Sequence, residues 1–158
     1  MKRIRAAAAV LLVLLCIASL LPGAAAAGEV QETTVLFTHD LHSHFLPQRD
    51  GEGRESGGYA RLMTVLKQER QEHPNALTLD GGDFSIGSLI QTLYTTRAAE
   101  LRTMGAMGYD AAAVGNHEFD HGGTGFAQML TAAVSSGDKL PALLMANYKP
   151  CLLYTSDA

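Results

Sequence analysis

Cysteine is nearly missing from this chain of 158 residues: only Cys16 and Cys151 occur. With no cysteine between those two positions, no disulfide framework can staple the interior, and the fold has to rest on packing alone. Positive charge is also scarce, with Lys+Arg 12 against Asp+Glu 16 and a formal net charge of −4. A protein that holds the phosphate backbone of a nucleic acid carries the opposite balance, so a nucleic-acid polymer is not an expected partner. No internal repeat is visible, nor any low-complexity tract beyond the N-terminus. The longest apolar run, Ala6 to Leu21, falls short of the roughly 20 residues that a spanning helix needs, which argues against a transmembrane segment.

That run instead follows Lys2, Arg3 and Arg5, ends at Pro22-Gly23, and leads into the small residues Ala25-Ala26-Ala27. Charged start, apolar centre and small-residue exit are the layout of a secretory signal peptide over 1–27, with cleavage expected after Ala27 and an extracytoplasmic destination, periplasmic, cell-surface or secreted. Cys16 lies mid-run behind Leu15 and does not fit a lipoprotein cysteine. At the other end, CLLYTSDA over 151–158 back-translates with permitted codons to TGT CTC TTA TAC ACA TCT GAC GCT. That string is similar to the transposon-end adapter of sequencing libraries, so native sequence is expected to stop near Pro150. Residues 28–150 then hold 9 basic and 15 acidic side chains, a balance of −6, in a length that suits one domain.

Within that stretch strands and helices are expected to alternate. Thr33 to Thr38 (TTVLFT) is β-branched and apolar without helical period, as a buried strand is. Gln48 to Gly58 is charged and glycine-rich and reads as a surface loop. From Tyr59 the apolar Leu62, Met63 and Leu66 recur at helical spacing until His73-Pro74-Asn75, a stripe that reads as core. Short strands are expected at Ala76 to Leu79, Ala111 to Val114 and Ala142 to Ala146, with helices at Ala98 to Met107, capped by Gly108, and at Phe126 to Val134. Such alternation implies right-handed βαβ units and a mostly parallel sheet covered on both sides.

The polar residues gather where that scheme places ligands, just past the C-terminal ends of successive strands. Asp40 and His42 follow the first, Asp83 the second, Asn116 and His117 the third. In an extended segment Asp40 and His42 would point to the same side and suit a metal, although a capping Asp beside a surface His has the same spacing. Asp83 follows Gly81-Gly82, where the backbone can approach a ligand closely; it could bridge two cations or cap a helix near Phe84. Gly115-Asn116-His117-Glu118 adds a neutral oxygen donor and a titratable imidazole, with Asp120 placed to fix the tautomer; a polar turn around a satisfied histidine is the plainer reading.

Asp-x-His, Gly-Gly-Asp and Gly-Asn-His-Glu-x-Asp, each closing a strand in that order, resemble the calcineurin-like metallophosphoesterase superfamily. The surrounding words FTHDLHSHFLP, GGYAR, LDGGDFSIGS and MGYDAAAVGNHEFDHG are similar to its secreted 5′-nucleotidase branch, over about Val35 to Asn147. The resemblance implies an α/β fold, the N-terminal part of a truncated four-layer βαβ sandwich. It implies that Asp40 and His42 hold one metal, that Asp83 bridges two, and that Asn116 holds the second. His117 would stabilise charge on the phosphate oxygens, with Asp120 orienting it. The implied reaction is hydrolysis of nucleoside monophosphates or another small phosphoester by hydroxide activated between two divalent ions, with Mn, Zn, Mg, Co and Ca all open.

The match departs from the family in two ways. His39 stands where the family more often has Asn or Ser, and is either a supporting ligand or a local hydrogen-bonding residue. The further metal-binding histidines, in a G-H and a G-H-x-H or G-H-x-Q motif, and a C-terminal nucleotide-gripping domain have no counterpart up to residue 150, so the fragment itself is expected to be inactive. His44 either supports His42 or lies on the surface, while His73 and His121 are read as structural. The same core would equally serve a 2′,3′-cyclic phosphodiesterase, a nucleotide-sugar pyrophosphatase, a thiosulfate-ester hydrolase, or a non-catalytic surface relative. Oligomeric state is left open.

Overall fold

The computed structural model describes residues 32–146; the expected signal peptide and the 151–158 tail lie outside the described residues. Four strands, β1 (Val35–Thr38), β4 (Leu77–Asp80), β5 (Ala111–Ala113) and β6 (Ala142–Leu144), form a sheet in the order β1-β4-β5-β6 with every pairing parallel. The connections carry the helices α1 (Tyr59–Glu72), α2 (Tyr94–Arg97), α3 (Ala99–Met107) and α4 (Gly122–Ser135).

The helix ends follow the expected chemistry. Chain direction breaks after α1 at His73-Pro74, where proline disfavours helical geometry in the residue before it. Helix α3 ends on Gly108 at φ 83, whose N–H returns to the carbonyls of Gly105 and Met104. Arg70, in the last turn of α1, reaches over to the same spot. It donates to the carbonyls of Met107 at 2.7 Å and Gly108 at 2.9 Å, and to Thr78 Oγ1 at 2.7 Å. One guanidinium thus satisfies the C-terminal carbonyls of α3 and ties α1 to β4.

The strand order decides where the core sits. Each crossover moves one place in the same direction, and right-handed crossovers in a single direction put all their helices on one face. Thr78, Asp80 and Ala112 point to that face and are buried, against a core of Leu101, Met104, Phe126, Met129 and Ala133. The opposite face carries Val35 paired with Leu77, Phe37 with Leu79, and Ala113 with Leu144. Val35, Phe37, Leu77 and Leu144 are 48%, 61%, 44% and 57% exposed. The expectation of a sheet covered on both sides is therefore corrected: among the described residues one face is packed and the other is open.

Two smaller differences concern the connections. The charged loop after Pro47 contains an antiparallel pair, β2 (Gln48–Arg49) and β3 (Glu55–Ser56), held across the ladder by Arg49 on Glu55 at 2.9 Å. Helix α4 begins at Gly122, a turn before the apolar spacing that announces it at Phe126.

Candidate metal and phosphate site

The three loops that leave β1, β4 and β5 at their C-terminal ends run side by side. Asp40 N–H donates to Gly82 O at 3.0 Å, His42 N–H to Asp83 O at 3.1 Å, and Ser43 N–H to Phe84 O at 2.9 Å, so the first loop continues the β1–β4 ladder beyond the sheet. It does so in an unusual conformation. Asp40, His42 and Ser43 have φ of 53, 45 and 54°, and Asp83 has 55°. The Asp40–His42 pair is thus presented by left-handed backbone rather than the extended segment its spacing suggested. Non-glycine residues in this region cost conformational energy and cluster at functional sites.

The loops after β4 and β5 touch backbone to backbone. A Cβ on Gly82 would stand 2.7 Å from the Gly115 nitrogen, and one on Gly115 would stand 2.6 Å from the Asp83 nitrogen. Gly82 also sits at φ +98°. Glycine is required at both places for the loops to approach this closely.

Each sequence-predicted residue can now be placed. His42 Nε2 lies 3.4 Å from Asp40 Oδ1. On its other side His42 Nδ1 meets the carbonyl of Ile86 at 2.9 Å. A carbonyl can only accept, so Nδ1 carries the proton and the Nε2 lone pair is left for a cation beside the Asp40 carboxylate. His39 pairs with the second oxygen of Asp40, and that hydrogen bond holds the Asp40 carboxyl below its usual range. His39 therefore acts on a candidate ligand, which favours the supporting role.

Asp83 Oδ1 accepts from the His117 N–H at 2.9 Å, and the Asn116 amide nitrogen, turned so that both its polar atoms are satisfied, donates to Asp83 Oδ2 at 3.2 Å. Asp83 does not cap a helix at Phe84, since no helix begins there; the next element is a 3-10 turn at Leu89–Leu93. His117 Nδ1 bonds Asp120 Oδ2 at 2.9 Å, and that hydrogen bond raises the imidazole pKa above its ordinary value. Its ring meets the ring of His42 edge to face, with centroids 4.9 Å apart. The six predicted side chains are thus gathered at one sheet edge.

The other histidines follow their plainer readings. His44 bonds Gln48, His73 is the C-terminal cap of α1, and His121 stacks on Tyr94 with centroids 5.5 Å apart.

Sequence reasoning missed the supports beneath these residues. Glu118 is fully buried, and its carboxylate accepts from the backbone N–H groups of Asp83, Ser85 and Gly115 and from the Ser85 hydroxyl. Ser43, adjacent to His42, is also fully buried and donates to Glu100 at 2.7 Å. Asp80, at the end of β4, accepts from Thr38 at 2.5 Å and from the Gly82 N–H at 2.9 Å, and burial pushes its carboxyl up. Only a buried carboxylate flanked by glycine-rich motif words could have signalled these roles.

The donor types suit a hard or borderline divalent ion, with carboxylate, imidazole and amide oxygen and no thiolate. They fit in part. Asp40 with His42 and Asp83 with Asn116 form two adjoining pairs, but no group of three or more His, Cys, Asp or Glu placed to hold one ion occurs among the described residues.

Comparisons with known proteins point to one family. The family described as calcineurin-like phosphoesterase matches residues 33–144. The 5′-nucleotidase of Mus musculus is 40% identical over 144 residues, 86% of this chain and 23% of that protein. Among solved structures, the 5′-nucleotidase precursor of Thermus thermophilus superposes with a TM-score of 0.60 at 32% identity, over 73% of this chain and 22% of that one. The NAD nucleotidase of Haemophilus influenzae gives 0.59 at 30% identity, over 72% and 20%. The chain spans about a quarter of the length of the curated mammalian relatives it matches. Its matched span, fold and strand-end motifs together make it a member of the calcineurin-like phosphoesterase family.

Proposed function

We propose that the chain supplies the metal- and phosphate-binding part of a phosphoester hydrolase of the 5′-nucleotidase type, releasing phosphate from nucleoside monophosphates. The observation that carries this reading is the convergence of Asp40, His42, Asp83 and Asn116 with the His117–Asp120 pair at one edge of a parallel sheet. Two bound divalent ions would supply an activated water and neutralise charge on the phosphate.

The protein's own groups do the rest. Asp40 and His42 would hold one ion, Asp83 would stand between the two, and Asn116 would turn its oxygen to the second. His117, protonated and oriented by Asp120, would donate from Nε2 to a phosphate oxygen as charge builds on it. Further donors are required to close the site, and we infer that a later segment of a longer protein provides them. The layout of residues 1–27 supports action outside the cytoplasm. Among the described residues no helix is long and apolar enough to cross a membrane.

The test is phosphate release from AMP by the product of the intact gene, with Mn, Zn, Mg, Co and Ca supplied in turn after chelation. A 2′,3′-cyclic nucleotide, a nucleotide sugar, NAD and thiosulfate esters complete the panel, because the related NAD nucleotidase is a structural neighbour at 30% identity. Turnover of AMP above the others supports the nucleotidase reading. Failure with every substrate and metal would leave a non-catalytic relative.

A further inference from the structure

Glu118 stands next to His117 yet turns away from the site. Its side chain is fully buried and reaches under the loops, where Oε2 accepts from the N–H of Asp83 at 3.0 Å and of Gly115 at 2.7 Å. Oε1 accepts from the N–H of Ser85 at 3.1 Å and the Ser85 hydroxyl at 2.8 Å. A carboxylate has about four good acceptor positions, and all four are used. No other side chain among the described residues bonds both the loop after β4 and the loop after β5 through their backbones.

The ties fall where the backbone needs holding. Asp83 is in left-handed geometry at φ 55°, and Gly82 and Gly115 meet at distances that admit no Cβ. Two loops pressed together with their N–H groups pointing inward would leave buried unpaired donors without a common acceptor. We infer that Glu118 is a positioning residue: its carboxylate clamps the Asp83 loop to the Asn116-His117 loop and so sets the separation between the candidate bridging carboxylate and the candidate second-ion ligand. As it concerns metal and phosphate binding, the inference rests on the hydrolase reading; as a statement about the loops it does not.

Glu118→Met keeps the length of the side chain but offers the N–H groups of Asp83, Gly115 and Ser85 no oxygen in any rotamer, whereas glutamine could turn its one oxygen to Asp83 and Gly115 and keep both inter-loop bonds. Ser85→Ala removes a single bond and leaves both inter-loop ties, which makes it the control. In full-length protein without metal, amide exchange of peptides covering 81–88 and 114–121 is expected to quicken at least tenfold in Glu118→Met and to stay near wild type in Ser85→Ala. Exchange in β4 and β5 is expected to hold in both variants. Mn titration should show affinity falling by about 10- to 100-fold in Glu118→Met, the range for losing a residue that orients ligands.

Unchanged exchange in both loops would overturn the inference, and so would a uniform quickening that includes the strands, because the effect would then be general destabilisation. Loosened loops with unchanged Mn affinity would overturn its metal-positioning part. If wild type itself neither binds Mn nor hydrolyses any ester, the hydrolase reading falls, and exchange alone decides whether Glu118 clamps the loops.

Discussion

His42 and His117 meet with ring centroids 4.9 Å apart and planes at 74°, although the strands that launch them are not neighbours. Strand β4 lies between β1 and β5, so at a spacing of about 4.8 Å per strand the chains leave the sheet nearly 10 Å apart. The loops fold inward to bring a candidate metal ligand and a candidate phosphate-binding group together, and Asp83, three residues past the end of β4, accepts from the backbone N–H of His117.

From this contact we expect His117→Asn to lower kcat for phosphate release by about 10²- to 10⁴-fold, the range for losing a placed proton donor. Asp120→Asn should cost less, about 10- to 100-fold, since it disturbs only the orientation and basicity of the ring. Both should leave Mn affinity near wild type. Steady-state kinetics beside a metal titration check this, and a fall in metal affinity equal to the fall in kcat would contradict the assignment.

Gly115→Ala is expected to be among the most damaging small substitutions in the chain. The added methyl would meet the carboxylate of Asp83 and, at 2.6 Å, its backbone nitrogen, which cannot swing aside as a side-chain end can. A destabilisation of about 1 to 3 kcal/mol follows from overpacking at a contact that cannot give way. Thermal melting measures it. Gly123→Ala, where nothing lies within 4 Å of the new methyl, is the control and should change little.

Glu100 makes a prediction about pH. It is fully buried, and burial raises its carboxyl pKa above the ordinary value although Ser43 donates to it. Its second oxygen has no partner among the described residues. A folded-state pKa above the unfolded one means that ionisation works against folding. The penalty is absent below the unfolded pKa, near 4.3. It grows as pH rises towards the folded value and stays constant above that. Glu100→Gln should therefore raise the melting temperature at pH 7 by about 4 °C, and the gain should vanish near pH 3.5. A constant difference at both pH values would show that burial of the charge is not the cause.

Much of this was legible from residue order, and the reasons are local. Proline after His73 and glycine at 108 mark helix ends wherever they fall, so α1 and α3 ended where expected. Five of the six site residues stand within four positions of a strand end, with Asp120 seven past the end of β5, and the alternation of strand and helix placed those ends at one edge. What was not legible depends on partners distant in sequence. Glu118 bonds Asp83, 35 residues away, and nothing in Gly-Asn-His-Glu reveals which way its side chain turns. The left-handed backbone at Asp40 and His42 was hidden because neither residue is glycine. The strands misled about layers: VLF in β1 is apolar on both sides, the usual sign of a strand buried on both faces, yet only Leu36 turns to the core.

The open face has a practical side. Burying the rest of Val35, Phe37, Leu77 and Leu144 is worth about 1 kcal/mol each, a fair share of the 5 to 15 kcal/mol that holds an ordinary domain together. A surface with that appetite makes an isolated preparation prone to self-association. Of the four, Phe37 borders the site loops, its ring centroid 6.0 Å from that of His39, and is best left in place. Solubility and site can then be adjusted separately: threonine at 35 and 144 and a polar residue at 77 would give a dispersed β1–β6 unit with the same three loops, a small scaffold on which the half-site could be titrated by itself.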